Sequence, residues 1–435
     1  MRTALLTAAS AALVSAQQDC STIPPSAFVP ISLRNSRGVE LSLLPYGGTA
    51  QRLLVPLPGA PPTAPPIDIL LGFDAPVDYC AGGPTAQHPY FGALIGQVAN
   101  RIPNCTFSLG GKRFTPPCNE QSSVTHLNDT LHGGTVGWDR RVWSPARAPT
   151  ATEAELTLDS PAGFMGFPSS LRISAAHALL DPPAGAPAGA LGAWELRWRV
   201  TNVGAEPTPV APTMHAYFML SGFKGEDTVL KHVLRMRNAT RYEAVDAGLI
   251  PTGELVDVTK EQRWMDFTAA KALGADFPLP SGASGYDNAW IFEGAGGGKR
   301  EFALQAELEA AASGLRMEVW TDAPSVQVLV ACGVAFPAPR HPPSHMPLTR
   351  PPPPLSAPPA RSYTGNFLEA TGPTAVAKKK AQRFPGQGPT YAQHSAVTFE
   401  AQEYIGAANI PSFPSITLAP GGTYTQRTAY VLSRA

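Results

Sequence analysis

The chain has 435 residues with 33 basic and 33 acidic side chains, so no net charge draws it to nucleic acid or to an anionic membrane surface. Apolar residues make up 43%, enough for a packed core, while only 15% are charged. The 47 prolines and 40 glycines predict many turns and few long helices.

Residues Met1 to Ala16 combine a basic Arg2, a short apolar stretch from Ala4 to Val14 and the small-x-small ending Val14-Ser15-Ala16. This is the pattern of a cleaved secretory signal, and it predicts residence in the secretory pathway or outside the cell. No run approaches about 18 uninterrupted apolar residues, so no membrane anchor is expected. Three Asn-x-Ser/Thr sequons, at Asn104, Asn128 and Asn238, agree with secretion of a glycoprotein.

Five cysteines leave at least one unpaired within the chain. Cys105 and Cys118 flank two alternating runs around Gly110-Gly111, a hairpin pattern that brings its ends together, so these two are the expected disulfide in an oxidising compartment. No Cys-x-x-Cys or clustered His/Cys spacing points to a structural metal.

From Ala27 onward, period-two runs recur between turn residues: Val39-Glu40-Leu41-Ser42-Leu43, Ala154 to Leu158, Glu195 to Val200, Leu315 to Trp320 and Ser415 to Leu418. They predict an all-β fold, one large antiparallel β-sandwich over residues 27–435. Glu301 to Ala312 is a mild helix candidate whose apolar spacing also suits a strand leading into a turn. Two Pro-rich stretches, Pro56 to Pro66 and one at about 336–360, lack the amide donors of a central strand and are expected as exposed loops, the second an insertion in the sandwich.

Candidate chemistry rests on few residues. His132 sits in Leu131-His132-Gly133-Gly134, where the glycines allow a sharp bend and a close approach to a ligand. His215 lies in a strand-like run, Thr213 to Phe218, and reads locally as a core histidine. Alternation puts Thr398, Glu400 and Gln402 on one face of a strand, which reads as solvent-facing, and Asp287 reads as a turn residue. Without a Walker loop, a dinucleotide fingerprint or a metal cluster, no cofactor is expected.

Taken in order, Gly96 to Ile102, Leu131 to Gly134, Pro212 to Phe218, Gly285-Tyr286-Asp287, Tyr363 to Leu368 and Phe399 to Gln402 resemble the aldose 1-epimerase (galactose mutarotase) family. The resemblance implies a galactose mutarotase-like supersandwich in a single domain, with no cofactor, acting on a small-molecule aldohexose such as glucose or galactose. It implies that Glu400 is the base for the anomeric hydroxyl and His215 the acid for the ring oxygen. Asn100, Arg101, His132 and Asp287 match the substrate-binding positions.

Three positions depart from the family pattern: Gln97 for an arginine, Met219 for an asparagine and Asn288 for a histidine. They are expected to alter the pocket's hydrogen bonds and hence substrate preference. Two other functions compete. A catalytically silent secreted carbohydrate-binding protein would keep the pocket without turnover, and a hexose-phosphate epimerase would need clustered arginines.

Overall fold

The computed structural model describes residues 19–57, 61, 63–81, 89–122, 124–281, 285–292, 301–330, 376–385 and 387–434. The expected signal segment, the insertion at about 336–360, Cys332 and the Tyr363 to Leu368 motif lie outside these residues. Among the described residues, α-helix is confined to one turn, Asp78–Ala81, with a few short 3-10 turns, and the rest of the regular structure is β.

The alternation read from the sequence builds the largest layer, a nine-stranded antiparallel sheet. In Glu153–Ser160, Ala154, Leu156 and Leu158 point inward while the residues between them face outward. Glu153–Ser160 pairs with Leu171–Leu180, which pairs with Ala190–Asn202. The last strand, Thr423–Arg434, lies between Ala190–Asn202 and Leu315–Thr321, so the C-terminus joins the two halves of the sheet.

A second sheet of five strands runs Pro251–Asp257, Arg241–Val245, Asp287–Ile291, Ser325–Leu329 and Glu400–Gln402. One apolar cluster extends from Ala27 to Leu432, and the buried indoles of Trp138, Trp143 and Trp198 meet within it. Burying a large aromatic ring contributes on the order of 2 to 3 kcal/mol relative to exposure, so rings concentrated here make this layer a stable base for the site.

The helix candidate at Glu301 to Ala312 is a strand, Ala303–Ala310, paired with Leu315–Thr321. The turn between them places Gly314 at φ 64°, and pairing with a neighbour overrides weak helical periodicity. The run Ser415 to Leu418 contributes only a short strand, Thr417–Leu418. Where described, the first Pro-rich stretch is outside regular structure and largely exposed.

The Cys105–Cys118 disulfide forms as expected and closes the hairpin Phe107–Leu109 and Lys112–Phe114. Gly110 and Gly111, at φ 57° and 75°, supply the left-handed turn that a two-residue hairpin loop requires. A second disulfide, Cys20–Cys80, was not expected from spacing. Its sequence separation of 60 left no local pattern to read, and it ties the first described residues to the Asp78–Ala81 turn.

His177 is buried in the large sheet, where its Nδ1 accepts the indole N–H of Trp194 at 3.2 Å. Burial pushes its pKa down to about 3, so the unfolded chain takes up a proton near pH 6.5 that the folded chain refuses. The stability from the neutral ring is therefore complete above pH 6.5 and is lost as pH falls toward 3. Relative to His177→Gln, the wild type should lose about 1.4 kcal/mol per pH unit below 6.5. Urea midpoints at pH 7.5, 6 and 5 test this, and a constant offset between the two proteins would refute it.

Candidate active site

Seven stretches of chain converge on a small cleft whose wall includes Asn100, Arg101, His132, His215, Asp287 and Glu400. All six residues expected from the sequence are thus brought together. Larger hollows around Asp322 and Glu403 and beside Asn104 and Asn409 collect no histidine. Chemistry rather than size marks the first as the site.

Main-chain geometry sets each side chain. His215 falls between the strands Thr213–Met214 and Tyr217–Phe218, its N–H bonded to the Ala93 carbonyl and its carbonyl to the Gly92 N–H. Asp287 opens the strand Asp287–Ile291 opposite Leu329, and Glu400 lies opposite Gln327. Residues facing each other across antiparallel strands share a face, so Asp287, Leu329, Gln327 and Glu400 form one surface.

This corrects two expectations. Asp287 is a strand residue, because ladder pairing claims the backbone that the local sequence offers to a turn. Glu400 is not on a solvent-facing surface, since every residue from Val397 to Gln402 is buried.

His132 is held at φ 51° by a mutual pair of bonds, its N–H to the Asn100 carbonyl and the Asn100 N–H to its Nδ1 at 3.1 Å. A main-chain N–H only donates, so Nδ1 accepts and the neutral ring carries its proton on Nε2. The Gly133 bend serves a different approach from the one expected. A Cβ there would meet the Gly96 carbonyl oxygen at 2.0 Å, so the close contact is with the protein's own backbone.

Across the cleft, His215 Nε2 lies 3.4 Å from Glu400 Oε1, with both side chains at most 5% exposed. Oε1 also accepts from the Thr398 hydroxyl at 3.3 Å, and Oε2 has no protein partner among the described residues. The rings of Tyr90 and Tyr217 pack beside His215, with centroids at 5.9 and 4.9 Å.

Burial drives the electrostatics. It raises the Glu400 carboxyl well above its ordinary value, with repulsion from Asp287 adding and Thr398 and Arg101 opposing. It pushes the His215 imidazolium down to about 3. His132 is lowered by burial and then by His215 and Arg101. Burial works against the Arg101 cation, yet Glu120, Asp287 and Asp129 together hold it above its ordinary value.

His132, His215 and Glu400 offer three potential metal-ligating atoms within 4.8 Å of one another. The tautomer works against a metal here, because His132 Nε2 already holds a proton and the Nδ1 lone pair is taken by the Asn100 N–H.

Sequence reading missed three contributors. Gln327 donates to Asp287 Oδ1 at 2.6 Å, Tyr90 covers both histidines, and Glu120 grips Arg101. A lone amide in the apolar run Val326 to Val330 was a signal for Gln327, whereas Tyr90 and Glu120 carried none. Conversely, none of the three departing residues lines the cleft. Gln97 donates to Thr208 and Pro209, Met219 lies in the core and Asn288 points away from Asp287 along the strand, which corrects the expectation that they reshape the pocket.

Residues 30–346 match the family model described as aldose 1-epimerase. The chain belongs to the aldose 1-epimerase family, isomerases that act on carbohydrates. The galactose mutarotase of Sus scrofa is 28% identical over 371 residues, covering 85% of this chain and 84% of that protein. The aldose 1-epimerase of Escherichia coli is 26% identical over 406 residues, 92% of this chain and 94% of the other.

Among solved structures, an aldose epimerase homologue from C. elegans superimposes with a TM-score of 0.69 at 23% identity, covering 94% of this chain and 99% of that one. Galactose 1-epimerase from Lactobacillus acidophilus gives 0.60 at 20% identity, covering 93% and 94%. The supersandwich fold expected from the motifs is therefore the fold observed. Glu400 lies beyond the span matched by the family model.

Burial raises the Asp287 carboxyl, with Arg101 and then the Gln327 amide pulling it back down. In Gln327→Leu the Asp287 carboxyl should titrate at higher pH than in the wild type, as followed by its carboxyl-carbon resonance, and an unchanged titration would show that the hydrogen bond has no hold on it.

Proposed function

We propose that this cleft interconverts the α and β anomers of free aldohexoses by ring opening, with Glu400 as base and His215 as acid. The observation that carries the reading is their 3.4 Å separation in a buried cleft. The anomeric hydroxyl and the ring oxygen are bonded to the same carbon, so a proton acceptor for one and a donor for the other must work around one centre.

The pair needs a single proton. In the reactive form it resides on His215 and Glu400 is a carboxylate. Glu400 takes the anomeric proton as His215 protonates the ring oxygen, the bond between that oxygen and the anomeric carbon breaks, and the aldehyde forms. This leaves neutral imidazole and carboxylic acid, the forms that burial favours. Rotation about the bond between the first two carbons presents the other carbonyl face, and the same transfers in reverse close the ring.

The remaining wall residues suit a neutral polyol. His132 offers Nε2–H and Asp287 accepts hydroxyl protons by charge-assisted bonds. Among the described residues Arg101 is the one Lys or Arg side chain lining the cleft, and Glu120 already pairs with it. A sugar phosphate would meet Asp287 and Glu400 with no spare cation, which counts against that reading.

We also propose secretory routing, supported by the two disulfides. Asn104 and Asn238 are exposed, whereas Asn128 is half-buried with a buried Oδ1. Glycans should therefore occupy Asn104 and Asn238, and intact mass after glycosidase treatment of protein from a secreting host checks this. A glycan on Asn128 would contradict it.

Polarimetry with freshly dissolved α-D-glucose or α-D-galactose tests the main proposal, and a rate no faster than buffer would end it. Glu400→Gln and His215→Asn should each lower kcat by about 10²- to 10⁴-fold while hexose still binds. Loss of binding with kcat unchanged would assign these residues to recognition instead.

A further inference from the structure

We infer that Glu120 is a positioning residue for the anomerisation, aiming the Arg101 guanidinium into the cleft and setting the cleft's net charge. The inference rests on the function proposed above. Glu120 is not part of the cleft wall. It acts through Arg101.

The three strands Arg101–Pro103, Asn128–Leu131 and Glu120–Gln121 lie side by side in that order. Arg101 faces Leu131 and Glu120 faces Asp129, so all four share one face and the arginine reaches over the middle strand. Its Nε meets Glu120 Oε2 at 2.7 Å and its Nη2 meets Oε1 at 2.8 Å. This two-pronged contact occupies one edge of the planar guanidinium and fixes its plane. The other edge, whose Nη1 lies 3.3 Å from Asn100 Oδ1, is left toward the cleft.

A purely structural role explains the pair poorly. Both side chains are at most 7% exposed, and a buried ion pair repays little of its desolvation cost, so well-packed apolar residues would hold this small sheet as firmly. The charge has its consequence at the site. Facing Arg101 are Asp129 from the middle strand, Asp287 and His132; facing Glu400 are His215, Tyr217, Tyr430 and Asp287. Glu120 cancels a cation that would otherwise act on all of these.

Neutralising Glu120 leaves Arg101 uncompensated, which favours carboxylates over acids and neutral imidazole over imidazolium. In Glu120→Gln both limbs of the pH profile of kcat/KM should therefore move to lower pH, and kcat/KM at its optimum should fall about 10²-fold from a misplaced arginine. Glu120→Asp keeps the charge but is one methylene short of the two-pronged contact. Its limbs should stay at the wild-type positions while kcat/KM falls.

Steady-state polarimetry from pH 4.5 to 9.5 on the wild type and both variants tests this, together with titration of the Glu400 carboxyl-carbon resonance and calorimetric hexose affinity. A Glu120→Gln profile that overlays the wild type, with only thermal stability reduced, overturns the inference. So does an undiminished kcat/KM in Glu120→Asp, which decides the matter if Glu120→Gln does not fold. A wild type without mutarotase activity defeats the parent proposal on its own. The Glu400 titration and hexose affinity then still decide whether Glu120 controls the cleft, and no change in either overturns that.

Discussion

A carboxyl and an imidazole are held 3.4 Å apart in a cleft that leaves each almost no contact with water, and the rest of the centre is organised around that juxtaposition. An isolated buried charge is costly, and the usual escape is to become neutral or to pair. Here one shared proton permits both: carboxylate with imidazolium, or acid with neutral ring. Neither side chain is anchored by a strong bond from another side chain, and Glu400 Oε2 has no protein partner among the described residues. The anchoring comes from the backbone, through Gly92 and Ala93 on one side and the Ser325–Leu329 strand on the other.

That division of labour explains where the remaining groups sit. Asp287 and Glu400 are both acceptors, and without a cation close by their repulsion would exclude one of them from the charged state. Arg101 supplies the cation and Glu120 limits it, so the cleft holds a balanced set instead of a basic pocket. Asn100 joins the two halves, with Oδ1 accepting from the Arg101 main chain and its N–H fixing the His132 tautomer.

The sheet was legible in the sequence because one face of each long strand meets the core while the other faces out, as in Glu153–Ser160. The site was not legible on local grounds for the same physical reason. The stretch Val397 to Gln402 is buried on both faces, so alternation carries no information about Glu400 there. The ladder, not the Gly285-Tyr286-Asp287 stretch, decides what Asp287 becomes. Five of the six motifs did point to residues that converge, and the sixth, Tyr363 to Leu368, lies outside the described residues. Glu120 and Tyr90 act through partners far away in sequence, which no local pattern encodes.

Glu400 follows the long stretch 331–375, and its placement is nonetheless determined by what comes after that stretch. Lys379 is buried and its Nζ meets Asp68 Oδ2 at 2.8 Å and the Leu70 carbonyl at 2.9 Å, while Gln382 donates to the carbonyls of Asp68 and Leu70 and Tyr391 to that of Gly72. These bonds clamp the returning chain to the N-terminal sheet. Val397–Thr398 then pairs with Tyr217–Phe218, two residues beyond His215, and Glu400 pairs with Gln327. Each contact draws on residues from the far side of 331–375. His215 and Glu400 are therefore brought together by the same short ladder, built from described residues on both sides of 331–375.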